Sequence, residues 1–425
     1  MRILLGCIAD DFTGATDLAN NLVRSGMRVV QTIGVPVQPI TADVDAVVVA
    51  LKSRTIAPAE AIEQSLQALK WLQAQGAQQI YFKYCSTFDS TAHGNIGPVT
   101  EALMDALHTD FTIATPAFPD NGRTVFKGHL FVGDVLLNES GMQNHPLTPM
   151  SDANLVRVMQ AQTKRKVGLV PFHVIARGAQ AIGECIKQLN AGGVGIAIAD
   201  AVSNDDLMRL GVALKGMPLV TAGSGVAIGL PQNFGIAPSP SASVLPPACG
   251  ARAVVSGSCS LATNAQVAHF IKSGGHAMAL NPLQVAADAA AGKNVAATAL
   301  AWAAPLLKSG PVLVYSTAAP EAVNAVQAQI GVEAAGALME QALSQVARGL
   351  VDAGVRQLVV AGGETSGACV QALGITQMQI GPQIDPGVPW CFARSEAAPE
   401  GLHLTLKSGN FGTTDFFTKA FSQLT

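Results

Sequence analysis

Residues Ile3 to Ala9 form an apolar run that stops at Asp10 and Asp11, after which a helical pattern begins, with Ala15, Leu18, Ala19, Leu22 and Val23 on one face as far as Gly26. An apolar run without polar alternation fits a strand covered on both faces, the environment of a parallel sheet. The unit recurs along the chain. Val44 to Ala50 precedes a helix with Ile62, Leu66 and Leu69 on one side, and Gln79 to Tyr84 is the next strand. In the second half, Ala253 to Val255 runs into Ser256-Gly257-Ser258, and a helix bearing Met339, Leu343, Val346 and Leu350 feeds the strand Gln357 to Ala361. Strands alternating with helices predict an α/β fold: two α/β domains with mainly parallel sheets and a ligand cleft between them.

The 425 residues suit two domains better than one core. Between Pro231 and Gly250 five prolines interrupt any periodic pattern, so residues 231–249 read as a Pro/Ser-rich linker between a substrate domain, 1–232, and a nucleotide domain, 250–425. Charge narrows the partners. Lys and Arg total 26 against 29 Asp and Glu, a net charge of −3, which gives no general basic field for nucleic acid or an anionic membrane. The longest apolar run, Asn294 to Leu307, is shorter than the roughly eighteen residues of a membrane span, and no secretory signal pattern opens the chain. A cytoplasmic protein is expected, with small-molecule partners and a homo-oligomer left open. Its seven cysteines form no Cys-x-x-Cys pair that would suggest zinc or redox chemistry.

In a parallel sheet, ligands gather at the carboxyl ends of the strands. The first such end carries Asp10 and Asp11. One aspartate suffices to cap a helix, so the second is available to accept a substrate hydroxyl or act as a base. The next two strand ends bring Arg54 and Lys83, a guanidinium fork and a point charge suited to a carboxylate or phosphate. Arg123, Lys127 and His129 form a weaker basic cluster. The second half carries three Gly-rich loops, Ser256 to Ser260, Gly362 to Gly367 and Lys407 to Gly412. Each is common for steric reasons alone, but together they suit a nucleotide, with Glu364 as a donor toward a metal. Walker A, Gly-x-Gly-x-x-Gly, Gly-x-Ser-x-Gly and His-Glu-x-x-His patterns are absent. The turn Ala222-Gly223-Ser224-Gly225 has no assigned role.

Taken together, Ile8 to Ala15, Asp89-Ser90-Thr91 with Gly94-Asn95, Ser256 to Ser258, Gly362 to Gly367 and Lys407 to Gly412 resemble the four-carbon acid sugar kinases over nearly the whole chain. The resemblance implies ATP- and Mg2+-dependent phosphorylation of the terminal hydroxyl of a tetronate-type acid. Carried over by position, it implies that Asp10, Asp11, Arg54, Lys83, Ser86, Asp89 and Ser90 contact the acid, with Asp11 catalytic. It implies that Ser258, Gly362, Gly363, Glu364, Thr365 and Gly409 contact ATP; no metal ligand is assigned. His93 stands where many members have Arg, and Cys85 to Phe88 are extra residues before Asp89. With Phe118 to Arg123 and Leu137 to Met142, these features look like the branch acting on 3-oxo-tetronates. Threonate or erythronate kinases, a two-lobed binding protein without turnover and a dehydrogenase with an unusual dinucleotide site are the alternatives.

Overall fold

The first apolar run becomes strand β1 (Leu5–Ala9), buried at every position, and the helix Phe12–Arg24 returns across the sheet. The computed structural model describes residues 3–40, 42–89, 91–144, 148–318, 328–329 and 331–424, and the chain divides into Met1–Ser243 and Val244–Thr425. In the first unit β1 is followed by β2 (Val29–Ile33), β3 (Ala46–Ala50), β4 (Gln79–Lys83) and β5 (Thr112–Thr115). Then come β6 (Arg123–Phe126), β7 (His129–Val132) and β8 (Val135–Leu136), which form a small antiparallel sheet of their own. The strands β9 (Lys166–Val170), β10 (Val194–Ala199) and β11 (Leu219–Ala222) complete the main sheet, in the order β2-β3-β1-β4-β11-β5-β10-β9. Every neighbouring pair in it is parallel. Helices on both faces leave β1, β3, β4 and β11 no solvent side, which is why their sequences show no alternation.

The strand order fixes where a ligand can sit. From β1 the chain passes to β2 and β3 on one side, then crosses to β4 on the other. The carboxyl ends of β1 and β4 therefore diverge into a crevice, the topological switch point of an open parallel sheet. The second unit repeats the device with β12 (Ala251–Ser256), β13 (His276–Ala279), β14 (Val312–Tyr315) and β15 (Val355–Ala361), in the order β13-β14-β12-β15. Its sheet continues through β18 (Ala398–Lys407) to β17 (Val388–Ser395) and β16 (Gln377–Asp385), where pairing turns antiparallel. Trp390, Phe416, Phe417 and Phe270 fill the core beneath, and the Trp390 indole N–H donates to Ala420 O at 2.9 Å.

One local expectation changes. On the helix Pro58–Ala74 the buried positions are Ala61, Ser65, Ala68, Leu69 and Leu72, whereas Ile62 and Leu66 are only half-buried. The helix turns mainly small side chains inward, so size and periodicity pointed to a neighbouring stripe. The proline-rich stretch carries short 3-10 turns at Pro231–Phe234 and Pro240–Ser243, and the division between the units falls within it, after Ser243. Beyond it, Gln379 Nε2 donates to Val244 O at 2.9 Å, and His403 Nε2 lies 2.9 Å from Pro246 O. Among the described residues no helix is long and apolar enough to cross a membrane.

Candidate active site

At the first switch point three strand ends are tied together by backbone bonds. Asp10 N donates to Lys83 O at 3.1 Å, and Ser53 N donates to Asp10 O at 3.0 Å. This frame brings Arg54 across the end of β1. Its Nε donates to Asp10 Oδ2 and its Nη2 to Asp10 Oδ1, both at 2.8 Å, while Nη2 also reaches Asp11 Oδ1 at 2.6 Å. The fork is thus already bidentate to protein, and its remaining donors are those of Nη1. Asn95 fixes the loop that carries it, donating to Ser53 O at 2.9 Å, Arg54 O at 3.2 Å and Ile56 O at 2.9 Å.

Asp11 serves the helix as well as the cluster. It is the N-cap of Phe12–Arg24, accepting from Gly14 N at 3.0 Å and from Thr13 Oγ1 at 2.9 Å. A Cβ at Gly14 would strike both Asp11 Oδ1 and Lys83 Nζ, so the buried ammonium packs directly on the first turn. Burial alone would raise the Asp11 carboxyl, but Arg54, Lys83 and the two hydrogen bonds outweigh it and hold the group below the ordinary range. Burial likewise opposes the Arg54 charge, and Asp10 with Asp11 overcomes it, so the guanidinium stays charged.

Two other carboxyls behave in the opposite way. Burial, with the Asp11 charge adding to it, lifts Asp17 to about 6 despite Lys83, Ser224 and Arg123 nearby. Burial also lifts Asp89 to about 6 against the pull of Arg54. Each keeps one buried oxygen, Oδ1, without a hydrogen-bond partner among the described residues. Asp89 and the preceding Phe88 both adopt left-handed backbone, at φ 37° and 68°, which holds the carboxyl in place at a conformational cost of order 1–3 kcal/mol per residue. Ser86 is half-buried in the same turn, and Ser90 lies outside the described residues.

Asp17 and Ser224 belong to this constellation although sequence reasoning assigned neither, and Arg123 joins them from the weaker basic cluster. The available signal was spacing: Thr13, Asp17 and Asn20 recur on one face of a helix whose side chains are buried nearly throughout. Ser224 comes from the turn after β11, against which Asn21 Nδ2 donates to Ser224 O at 3.0 Å. Of the basic cluster, only Arg123 acts on Asp17; Lys127 lies over the Phe126 ring, and His129 Nδ1 lies 2.9 Å from Lys127 O.

In the second unit the three Gly-rich loops leave adjacent parallel strands, β12, β15 and β18, and interlock. Gly257 N and Ser258 N donate to Ala361 O at 2.9 and 3.2 Å, and Gly362 N donates to Lys407 O at 2.8 Å. Gly362, at φ 122°, holds a conformation that a side chain would strain, and it starts the helix Gly363–Ala372. Ser260 caps the helix Leu261–Lys272, accepting from Thr263 N at 3.2 Å, while its hydroxyl donates to Gly409 O at 2.6 Å. Ser258, Gly362, Gly363, Glu364, Thr365 and Gly409 therefore sit on one end of the sheet. The region combines the N-termini of the helices Leu261–Lys272 and Gly363–Ala372 with glycine-rich turns, the setting that holds phosphate. Glu364 is exposed at its edge, and among the described residues no three of His, Cys, Asp and Glu gather as a preformed metal cage.

Comparison with known proteins covers both halves. Residues 5–230 match the family described as a sugar-binding N-terminal domain, and residues 253–417 match the nucleotide-binding C-terminal domain. The chain is 60% identical to a Burkholderia multivorans protein named 3-oxo-tetronate kinase, covering 100% of this chain and 98% of that one. A Haemophilus influenzae protein of the same name is 47% identical over 98% of this chain and 99% of its own. Among solved structures, one from Salmonella typhimurium LT2 superposes with a TM-score of 0.88 at 44% identity, covering 99% of each chain.

Proposed function

The chain belongs to the four-carbon acid sugar kinase family, and from that membership we propose that it transfers the γ-phosphoryl group of ATP to the 4-hydroxyl of 3-oxo-tetronate, giving 3-oxo-tetronate 4-phosphate. The observation that carries the reading is the pairing of two chemistries in one chain. The first switch point gathers cations and aspartates suited to a small acid with hydroxyls, and the second gathers amide-rich loops suited to phosphate.

In this mechanism Lys83, Arg123 and the unused Nη1 of Arg54 hold the acid's carboxylate and oxo group, and Asp10 keeps the guanidinium oriented. Asp11, held ionised by Arg54 and Lys83, accepts a hydrogen bond from the 4-hydroxyl and aims it at the γ-phosphorus. The proton in that hydrogen bond is passed on through Asp11 to Asp17 or Asp89, the two carboxyls whose raised affinity for it suits a base near neutral pH. The loops after β12, β15 and β18 bind the triphosphate through backbone amides. Mg2+ on a triphosphate needs only one or two protein carboxylates, and Glu364 is a donor of that kind at the loop edge; the ion would neutralise charge on the phosphate oxygens. As an ATP consumer, the enzyme is assigned to the cytoplasm.

A coupled assay of ADP release tests the reading with 3-oxo-tetronates, threonate and erythronate as acceptors. Turnover should be fastest with a 3-oxo-tetronate. Preference for threonate or erythronate would move the chain to another branch of the family, and ATP binding without turnover on any acid would make it a binding protein.

A further inference from the structure

Lys407, the last residue of β18, is fully buried, yet among the described residues it has no acidic partner. Its ammonium instead faces oxygens. Nζ donates to Ser408 O at 2.9 Å, Gly409 O at 3.0 Å, Thr263 Oγ1 at 3.1 Å and Phe411 O at 3.2 Å. Burial pushes the group down to about 7, and no charged side chain offsets this. The oxygens stabilise the protonated form, because a neutral amine would turn a lone pair toward an acceptor.

The arrangement has a stereochemical consequence. In a trans peptide unit the carbonyl of one residue and the N–H of the next point in opposite directions. Carbonyls of Ser408, Gly409 and Phe411 turned toward Nζ therefore turn the amides of Gly409, Asn410 and Gly412 away from it. Gln266 reinforces the same face, its Nε2 donating to Phe411 O at 3.0 Å and to Gly412 O and Thr413 O at 3.1 Å. The Gly409 carbonyl is further held by Thr263 Oγ1 at 2.8 Å, which links the loop to the capped helix Leu261–Lys272. A cation ringed by carbonyl and hydroxyl oxygens is a coordination pattern ordinarily made around a monovalent metal ion.

We propose that Lys407 is a positioning residue for the nucleotide: its ammonium fills the place of a structural monovalent cation, gathers the loop carbonyls, and so presents the amides of Gly409, Asn410 and Gly412 to the phosphates. The inference rests on the nucleotide reading of this unit. It does not require Lys407 to touch ATP.

The test measures ATP and acid KM separately in the full chain, with ATP binding to the wild-type protein as the control. Lys407→Met should raise the ATP KM at least tenfold while changing the acid KM less than twofold. Lys407→Ala should bind ATP as weakly, and 50 mM ammonium or potassium chloride, but not the chloride of a bulky organic cation, should recover part of the affinity. An unchanged ATP KM in Lys407→Met, or equal loss of ATP and acid affinity with no response to small cations, would overturn the proposal. If both variants fail to fold, Thr263→Val removes one oxygen of the ring and keeps the lysine. It should raise the ATP KM severalfold, and an unaltered value would overturn the proposal just as firmly. Failure of the wild-type protein to bind ATP would instead refute the nucleotide reading.

Discussion

Asp11 and Asp17 lie on the same strand-to-helix segment and carry opposite electrostatics. Asp11 is held below the ordinary carboxyl range, so its share of stability is present at neutral pH and is lost as pH falls through its lowered value. Asp17 is raised to about 6, so the folded chain binds its proton more tightly than the unfolded chain does. Stability then falls as pH rises through the window from about 4 to about 6, and above it the ionised group costs on the order of 3 kcal/mol. Asp17→Asn should accordingly raise the melting temperature at pH 7.5, with the gain vanishing below about pH 4, while lowering kcat at least tenfold. Asp11→Asn keeps a good helix cap, so its loss of turnover reports the charge and not the fold. It should cut kcat far more than it weakens ATP binding, and unchanged turnover would remove Asp11 from the reaction. Of Asp17→Asn and Asp89→Asn, the one that abolishes the acidic limb of the kcat profile near pH 6 identifies the proton acceptor.

Secondary-structure elements show which parts of this site could be read from sequence. Asp10, Asp11, Arg54 and Lys83 were legible because a buried strand announces itself by its apolar run, and polar residues at its end stand out. Asp17 was hidden within a helix, where its meaning depends on the absence of a solvent face; that absence comes from tertiary packing. Ser224 was hidden for a related reason, and Arg123 stood out only as part of a weak basic cluster, since the turn after β11 and the start of the short strand β6 follow paths that no local pattern dictates. The antiparallel run from β18 to β16 also escaped notice, because no helical segment separates these strands and the turns between them are short. Capping supplies a prediction at this scale. Ser260 both starts the helix Leu261–Lys272 and holds Gly409 O, so Ser260→Ala should cost about 1 kcal/mol in a denaturant melt and raise the ATP KM severalfold. A loss of stability without a change in ATP KM would confine this serine to capping.

Across the whole molecule, the low charge of 13% concentrates function. A chain with so few ionised groups places Asp10, Asp11, Asp17, Asp89, Arg54, Lys83 and Arg123 around one sheet edge in Met1–Ser243, while Val244–Thr425 presents mostly uncharged backbone at its own switch point. The two ligands should therefore leave separate footprints in hydrogen exchange. ATP should slow exchange in 257–260, 362–367 and 408–412, and the acid should slow it in 10–17, 52–56 and 83–95. Protection by ATP confined to the first unit would reverse the assignment of the halves. The same strand order bears on how the protein is made. Asp10 and Ser224 are brought together only when β1, β4 and β11 have paired side by side, joining segments from opposite ends of the unit. Such pairings carry a large loop-closure entropy and form slowly. A nascent chain can thus build its first helices early and still lack any affinity for the acid, which arises only after β11 has emerged from the ribosome and closed the sheet.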